Sequence, residues 1–142
     1  MIKIKVKNSG IIELQLFDDF PDGQLVIAEV KKHIPFEIRR LYFITNVFRN
    51  RSLRGKHAHK KLEQYMFCLN GNCVIELDDG KKKQKIIMRN PRYGIRLGPL
   101  LWHTMKNFSK DCVLLVVAND HYDESDYIRD YKEFLKLVKK KI

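Results

Sequence analysis

The sequence predicts an all-β domain, a sandwich or barrel of short strands, that ends in one α-helix. About nine to eleven apolar or alternating runs follow one another closely, with Gly, Asn, Asp and Pro turns between them. Only the segment 125–138 has helical spacing of its apolar residues. The chain contains no internal repeat and no low-complexity linker, so residues 1–142 are predicted to form a single domain.

The first half of the chain predicts a hairpin and two further strands. Two alternating runs between residues 3 and 16 flank Asn8-Ser9-Gly10, and this turn sequence favours a hairpin. Residues 24–29 and 38–44 are the next two predicted strands.

The second half predicts a series of strands joined by tight turns. Residues 64–69 and 73–77 are expected to form a hairpin through Asn70-Gly71-Asn72. The nearly continuous apolar run over 112–118 is typical of a strand that is buried on both faces. The other short strands predicted in this half lie at residues 85–88, 95–97 and 102–105.

The formal net charge of +11 is compatible with nucleic acid, an anionic membrane or a phosphorylated small molecule as partner. Lysines supply most of this charge and are dispersed over turns and the terminal helix, as on an ordinary solvated surface. No stripe of arginines with interleaved aromatics marks a nucleic-acid groove. We therefore expect no nucleic-acid partner, while an anionic small ligand remains compatible.

Targeting signals and cysteine usage both point to the cytoplasm. No apolar run approaches the roughly 20 residues that span a bilayer, and the N-terminus alternates lysine with hydrophobic residues. Cys68, Cys73 and Cys112 are odd in number and lie in apolar, strand-like settings. They are expected to be small buried side chains in a reducing compartment.

Two histidines two residues apart form the chemical centre of the sequence. If residues 57–59 are extended, His57 and His59 leave the same face of a strand. Glu63 follows four residues later, and His103 stands in a second polar segment. Imidazoles that share one concavity can bind a metal or move protons, and the spacing alone leaves both uses open.

The wider pattern around these histidines resembles the two motifs of the cupin superfamily. The resemblance implies a double-stranded β-helix, a jelly-roll barrel, whose interior holds the histidines. In metal cupins three histidines and a glutamate bind the ion, which would make His57, His59, Glu63 and His103 the ligands here. The matching residues are Gly55-x-His57-x-His59-x-x-x-Glu63, Gly71, Pro91, Gly98, His103 and Asn107.

Longer strings are similar to the bacterial nucleotide-sugar 3,4-ketoisomerases. This resemblance implies conversion of dTDP-4-keto-6-deoxyglucose to a dTDP-3-keto-6-deoxyhexose, in the biosynthesis of a 3-amino-3,6-dideoxyhexose for lipopolysaccharide or another glycan. It also implies that no metal or redox cofactor is used, and that the protein is a homodimer with exchanged N-terminal strands. The strings lie at residues 54–64, 69–71, 77–80, 102–105 and 118–131.

The residue types suit this reaction. Moving a ketone from C4 to C3 requires removal of the C3 proton, an enediol intermediate and return of a proton to C4. Histidine titrates near neutrality and can act in both directions, so His57 and His59 are predicted to be the acid–base pair. His103 is predicted to line the interior and to favour the galacto configuration at C4, as in the branch of the family that it resembles.

Four further residues are predicted to contact the substrate. Arg40 and Arg54 are candidates for the diphosphate, because a planar guanidinium can hold two oxygens. Tyr42 shares a strand face with Arg40, although alternation does not show whether that face is the interior. Tyr65 has the parity of the histidines if their strand continues without interruption. Asp22 departs from the family pattern, in which relatives have arginine before the glycine.

Overall fold

The computed structural model describes residues 2–140. Met1, Lys141 and Ile142 lie outside the described residues, so the last of the lysines assigned to the terminal helix is among them. The predicted all-β class with one C-terminal helix is confirmed. The helix α1 covers Tyr131–Lys140. The strands are β1 Ser9–Glu13, β2 Gln15–Asp18, β3 Gln24–Ile27, β4 Arg40–Ile44, β5 Arg54–His59, β6 Gln64–Asn70, β7 Cys73–Asp78, β8 Lys83–Met88, β9 Tyr93–Leu97, β10 Trp102–Lys106, β11 Val113–Ala118 and β12 Tyr127–Ile128.

Ten of these strands form two antiparallel sheets that enclose the main core. The first sheet has the order β1-β9-β6-β11-β4, and the second has the order β12-β5-β10-β7-β8. Met66, Leu114 and Val116 point inward from the first sheet and meet Ile75 and Leu77 of the second. Burial of these alternating apolar side chains fixes the register of each strand, because a slip by one residue would expose them.

Helix α1 packs on the outer face of the second sheet. Phe134 is fully buried there beside Ala58 of β5 and Ile128 of β12, and its ring lies 5.6 Å from that of Trp102. Ala58 faces the helix, and side chains alternate along a strand, so its neighbours His57 and His59 face the interior between the sheets. This packing directs the two histidines of β5 inward.

The outer face of the first sheet is covered only in part. A second apolar cluster of Leu14, Ile34, Tyr65, Phe67 and Val117 shields its centre. At the edge strand β4, however, side chains of the same face remain open to solvent. These are Leu41, which is 58% exposed, and Phe43, which is 63% exposed.

The predicted N-terminal hairpin is wrong. The run after the turn contains β1, which pairs with β9, and the start of β2, which pairs with β3, so it does not pair with residues 3–7. The segment before β1 follows the second sheet instead, where Lys5 N donates to Gln84 Oε1 and Lys7 N donates to Asp79 Oδ2. The turn residues were recognised, but long-range partners replaced the local pairing.

The predicted hairpin between β6 and β7 is also wrong, because the turn at Gly71 carries the chain from one sheet to the other. Strand β6 pairs with β9 and β11, whereas β7 pairs with β8 and β10. Gly71 has φ +66°, and a Cβ atom there would lie 2.2 Å from Ser109 Oγ. The glycine therefore serves a close approach between loops.

The helix begins later than its apolar spacing predicts. Residues Glu124–Asp126 form a short 3₁₀ helix, and β12 then pairs with β5. Asp130 caps α1, since its Oδ1 accepts from Lys132 N and Glu133 N. Strand pairing and the contacts of Asp126 therefore override the helical periodicity at residues 125–130. No helix within residues 2–140 is long and apolar enough to cross a membrane.

Candidate active site

Three histidines converge on the inner face of the second sheet, as the alternation along β5 predicts. Strand β10 lies beside β5, with His103 opposite His57. The ring centroid of His57 lies 4.9 Å from that of His59 and 4.8 Å from that of His103. His59 and His103 are each 2% exposed, whereas His57 is half-buried. We call these three residues the histidine wall.

The Nδ1 atom of each imidazole faces an oxygen acceptor. His57 Nδ1 lies 3.0 Å from Gly55 O, and His103 Nδ1 lies 3.1 Å from Leu101 O. His59 Nδ1 lies 3.1 Å from a carboxylate oxygen of Asp126. Because each oxygen accepts, Nδ1 carries the proton in each neutral ring and Nε2 keeps its lone pair. The histidine wall therefore offers three bases of the same tautomer.

Burial keeps these rings neutral. It is the largest cause that lowers the pKa of His59 to about 3, followed by the positive charges of His57 and Arg40. The pKa of His103 is lowered to about 3 by burial and then by its two histidine neighbours. Burial also lowers the pKa of the less enclosed His57. At neutral pH the three imidazoles can accept protons, which charged imidazolium groups cannot do.

Asp126 fixes the end of β5 and was missed by sequence reasoning. Its carboxylate accepts from Lys61 N at 2.8 Å and from Leu62 N at 3.2 Å, in addition to its contact with His59. Asp126 thus ties the turn after β5 to the ring of His59. The predicted helix over 125–138 placed Asp126 on a helix, which hid its contact with a residue 67 positions away.

A second set of polar side chains lies opposite, on the inner face of the first sheet. Arg40 and Gln64 are both in register with Ala118 of β11, so the three lie in a row across neighbouring strands. Gln64 Nε2 donates to Tyr42 Oη at 2.8 Å. The structure thus shows that the face shared by Arg40 and Tyr42 is the interior one. We call Arg40, Tyr42 and Gln64 the arginine wall, and the space between the two walls the bowl.

Buried polar atoms without partners concentrate at the bowl. Within residues 2–140, the buried side-chain atoms that lack a hydrogen-bond partner are Arg40 Nε, His59 Nε2 and Gln64 Oε1. One donor and two acceptors are therefore unsatisfied, two on the arginine wall and one on the histidine wall. Burying such atoms costs free energy unless a ligand or water completes them, so the bowl has the polarity of a binding site.

The mouth of the bowl is aromatic and charged. The ring of Tyr127 lies 4.8 Å from His57 and 4.5 Å from His59, and the Arg129 guanidinium lies 4.3 Å above it. Arg129 forms a two-pronged ion pair with Glu124. The sequence placed Tyr127 and Arg129 inside the predicted helix over 125–138, with Glu124 just before it, and gave none of the three a role. Only the pairing of β12 with β5 brings them to the site.

The remaining predicted residues divide between the mouth and the outside. Arg54 is exposed at the start of β5, and its positive charge acts to lower the pKa of Tyr42, against the larger effect of burial. The structure does not bring Tyr65 into the bowl, because the turn at residues 60–63 interrupts the strand and breaks its parity with the histidines. Tyr65 instead packs in the outer cluster, with its ring 5.7 Å from Phe36.

Glu63 does not join the histidines. Its Oε1 lies 2.6 Å from Arg96 Nε, and its backbone N–H donates to Asn119 Oδ1. The ligand set of three histidines and a glutamate is therefore not assembled. Without the glutamate, one ring nitrogen of each of the three histidines lies within 4.8 Å of those of the other two, close enough to share an ion.

Comparison with known proteins identifies the family. The family described as FdtA, WxcM-like, C-terminal, matches residues 7–139. The chain belongs to this family. It is 50% identical over 118 residues to the TDP-4-oxo-6-deoxy-alpha-D-glucose-3,4-oxoisomerase of Aneurinibacillus thermoaerophilus, covering 83% of this chain and 84% of the relative. The resemblance to the sugar 3,4-ketoisomerases, which are isomerases, is thereby confirmed.

Solved structures of this family have the same fold. The 3,4-ketoisomerase QdtA of Thermoanaerobacterium thermosaccharolyticum, a histidine-to-asparagine mutant in complex with TDP-4-keto-6-deoxyglucose, matches with a TM-score of 0.92 and 39% identity over 96% of this chain and 98% of that one. The WlaRB TDP-quinovose 3,4-ketoisomerase of Campylobacter jejuni matches with a TM-score of 0.86 and 44% identity over 92% and 99%. These matches confirm the predicted jelly-roll fold.

Proposed function

We propose that this protein is a 3,4-ketoisomerase that converts dTDP-4-keto-6-deoxyglucose to a dTDP-3-keto-6-deoxyhexose. The observation that carries the proposal is the bowl itself, in which neutral imidazoles face a guanidinium, a phenol and an amide. The substrate class comes from the relatives, which are named for this reaction or bind TDP sugars. The net charge of +11 suits an anionic sugar nucleotide.

The reaction moves two hydrogens and needs no external oxidant. A base removes the C3 proton, and the C–H electron pair forms the C3=C4 double bond while the C4 carbonyl becomes an enediolate oxygen. The O3 proton is then lost, C3 becomes the ketone, and protons are added to C4 and O4. We assign the proton transfers to His57 and His59, whose bare Nε2 atoms lie on one face of β5.

The arginine wall is suited to the oxygens of the substrate. Negative charge develops on O3 and O4 as the enediolate forms, and preorganised donors in a buried site stabilise such charge strongly. Arg40 supplies a guanidinium, and Tyr42 supplies a hydroxyl whose pKa is raised by burial. Arg54 is exposed at the mouth, where it can hold the diphosphate together with the outer nitrogens of Arg40.

The proposal is tested by product analysis. Chelator-treated protein is incubated with dTDP-4-keto-6-deoxyglucose, and the product is examined by NMR after coupling to a 3-aminotransferase. We expect an isomeric 3-keto sugar that is trapped as a 3-amino-3,6-dideoxyhexose, the cytoplasmic precursor class that the sequence implies. Unchanged substrate in the presence of a folded protein would contradict the proposal.

The configuration at C4 is proposed to be galacto. His103 is buried beside His57 on the neighbouring strand, where it can influence the face from which C4 receives its proton. The same NMR spectrum reads this configuration from the coupling constants of the C4 proton. A gluco product would contradict the assignment to His103 and point to residues such as Asp22.

We also propose that the protein acts as a homodimer with exchanged N-terminal strands. Leu41 and Phe43 leave an apolar edge uncovered, and the isolated β2–β3 hairpin exposes 46% of Phe17 and 55% of Leu25. A second copy that exchanged strands would cover both surfaces.

Gel filtration with light scattering tests the dimer. The wild-type protein should have twice the mass of one chain, and Phe43→Glu should reduce it to one. Phe48→Glu, at an exposed residue outside the strands, is the matched control. A wild-type monomer would contradict the dimer. Rapid mixing of labelled and unlabelled subunits would contradict the exchanged strands, since their separation requires local unfolding.

A metal enzyme is the second candidate, because His57, His59 and His103 form a group that fits one ion. Three imidazoles are sufficient protein ligands for a catalytic zinc ion, which would polarise a substrate oxygen. Elemental analysis of untagged protein separates the two candidates. About one ion per chain, with activity lost on chelation and restored by the metal, would favour this second candidate; full activity after chelation favours the first.

A further inference from the structure

Gln64 is an unusual residue for its place in the sheet. It is 1% exposed on the inner face of β6, and the following inward residues, Met66 and Cys68, are apolar members of the core. A buried amide is costly unless it is hydrogen-bonded. Only one side of this amide has a partner within residues 2–140, since Nε2 donates to Tyr42 Oη and Oε1 is unpaired.

The direction of this hydrogen bond determines what Tyr42 can do. The Gln64 amide donates to Tyr42 Oη at 2.8 Å, so this hydrogen bond uses a lone pair of the Tyr42 oxygen. The hydroxyl proton of Tyr42 takes no part in it. That proton is therefore available to the bowl. Burial raises the pKa of Tyr42, which keeps the phenol protonated at neutral pH. Gln64 thus leaves the Tyr42 hydroxyl free to donate, although its hydrogen bond by itself lowers the pKa of Tyr42 and partly offsets the effect of burial.

The small residue Ala118 lies beside this pair on the inner face of the first sheet. It stands between Gln64 and Arg40 in the register of three adjacent strands and is fully buried. A ligand oxygen above Ala118 can meet the unpaired Arg40 Nε on one side, and a ligand hydroxyl can donate to Gln64 Oε1 on the other. This face offers a donor and an acceptor for adjacent oxygens.

We propose that Gln64 is a positioning residue that directs the Tyr42 hydroxyl at a sugar oxygen and accepts a hydrogen bond from a neighbouring sugar hydroxyl. The role rests on the proposed function. The matching ligand chemistry is a pair of adjacent ring oxygens, one of which gains negative charge during the reaction. The histidine wall then moves protons at carbon, while Gln64 and Tyr42 serve the oxygens.

Replacement of Gln64 by glutamate tests the direction of the hydrogen bond. An ionised carboxylate cannot donate to Tyr42 and would accept its proton, which turns the hydroxyl away from the bowl. Protonation restores a donor at the same place. Because burial raises the pKa of a carboxyl group, Gln64→Glu should titrate at mildly acidic pH, where His59 and His103 stay neutral.

The measured quantity is the kcat of Gln64→Glu divided by that of the wild type, followed over pH. We expect a deficit of about tenfold to a hundredfold near pH 8, reduced several-fold near pH 5.5. Gln64→Leu should show a similar deficit that does not change with pH. Gln84→Glu on β8, whose side chain bonds Lys3 and Lys5, is the matched control and should give a ratio near one.

The possible outcomes distinguish a failure of the proposed function from a failure of the role assigned to Gln64. An inactive but folded wild-type protein contradicts the proposed function. An active wild type with a Gln64→Glu ratio that does not rise in acid contradicts the direction assigned to the hydrogen bond. Turnover-independent evidence comes from the ¹³Cζ resonance of labelled Tyr42, which should shift in Gln64→Leu but not in Gln84→Glu. No shift in either variant would overturn the role of Gln64.

Discussion

The two walls of the bowl satisfy their polar atoms in opposite ways. On the histidine wall each Nδ1 is held by a protein oxygen, so the tautomers are set by the fold. On the arginine wall, Arg40 Nε and Gln64 Oε1 have no partner among residues 2–140, and on the histidine wall the same holds for His59 Nε2. The fold therefore fixes the protonation of the histidine wall, whereas a ligand must complete the hydrogen bonds of the arginine wall.

This difference assigns two tasks to two sheets. Fixed neutral imidazoles suit proton transfer at carbon, which requires a base in one known tautomer. Unsatisfied donors and acceptors suit the oxygens of a ligand, which supplies the complementary atoms. Substitutions on the first wall should therefore remove chemistry. Substitutions on the second should slow turnover and weaken substrate binding while proton transfer persists.

The largest expected effect is the loss of a base. His59→Asn should lower kcat by about 10²–10⁴-fold, because a positioned acid–base group contributes about this much. His33→Asn is the matched control, since its ring accepts only from Glu29 N outside the bowl. Turnover is measured by NMR under identical conditions. If both variants retain wild-type kcat, the histidine wall does not carry the chemistry.

Removing the support of a base should cost less. Asp126→Asn keeps an acceptor for Lys61 N, but its amide nitrogen replaces the oxygen that accepts from Leu62 N and faces His59 Nδ1, and this donor favours the other tautomer of His59. We expect kcat to fall roughly tenfold to a hundredfold, together with a lower melting temperature from the lost Leu62 hydrogen bond. The ring ¹⁵N shifts of His59 report the tautomer. A lower kcat with an unchanged tautomer would contradict this cause.

The arginine wall should respond in KM as well as in kcat. Arg40→Lys keeps the charge but loses the Nε donor, so we expect kcat/KM to fall about tenfold, shared between the two constants. Arg39→Lys, one residue away and exposed, is the control and should match the wild type. Steady-state kinetics measures both. A change in kcat alone would place Arg40 with the histidines and break the distinction between the walls.

The smallest effect on chemistry, and a clear one on stability, is expected at Gly55. Its φ is +83°, and a Cβ atom would lie 2.9 Å from His103 O, where β5 and β10 meet. Gly55→Ala should destabilise the protein by about 1–3 kcal/mol in urea unfolding. Gly10→Ala is the control, because its Cβ would meet only Arg96 Cβ at 3.9 Å. Equal stability of the two variants would contradict strain at this crossing.

The sequence predicted the parts of the site that depend on local alternation. His57 and His59 needed only an extended strand, the cupin motif added His103, and the chemistry of the guanidinium added Arg40. Tyr65 was misplaced because the turn at residues 60–63, held by Asp126, resets the parity that alternation assumes. Local periodicity contains no information on such contacts between distant segments.

The missed residues have the same explanation. Gln64 looked like an ordinary strand residue until its register with Ala118 and Arg40 was known. Asp126 and Tyr127 lay in a segment whose apolar spacing fits an α-helix, whereas Asp126 ends a short 3₁₀ helix and Tyr127 begins a strand that pairs with β5. A polar residue at an inward position of a buried strand was the one available signal for Gln64.

Deuterium incorporation tests the division between the walls most directly. Chelator-treated wild type, His59→Asn and Gln64→Leu are each incubated with dTDP-4-keto-6-deoxyglucose in D₂O, and deuterium at C3 and C4 is followed by NMR. We expect incorporation by the wild type, slower but detectable incorporation by Gln64→Leu, and almost none by His59→Asn. Incorporation by His59→Asn at the wild-type rate would contradict this division.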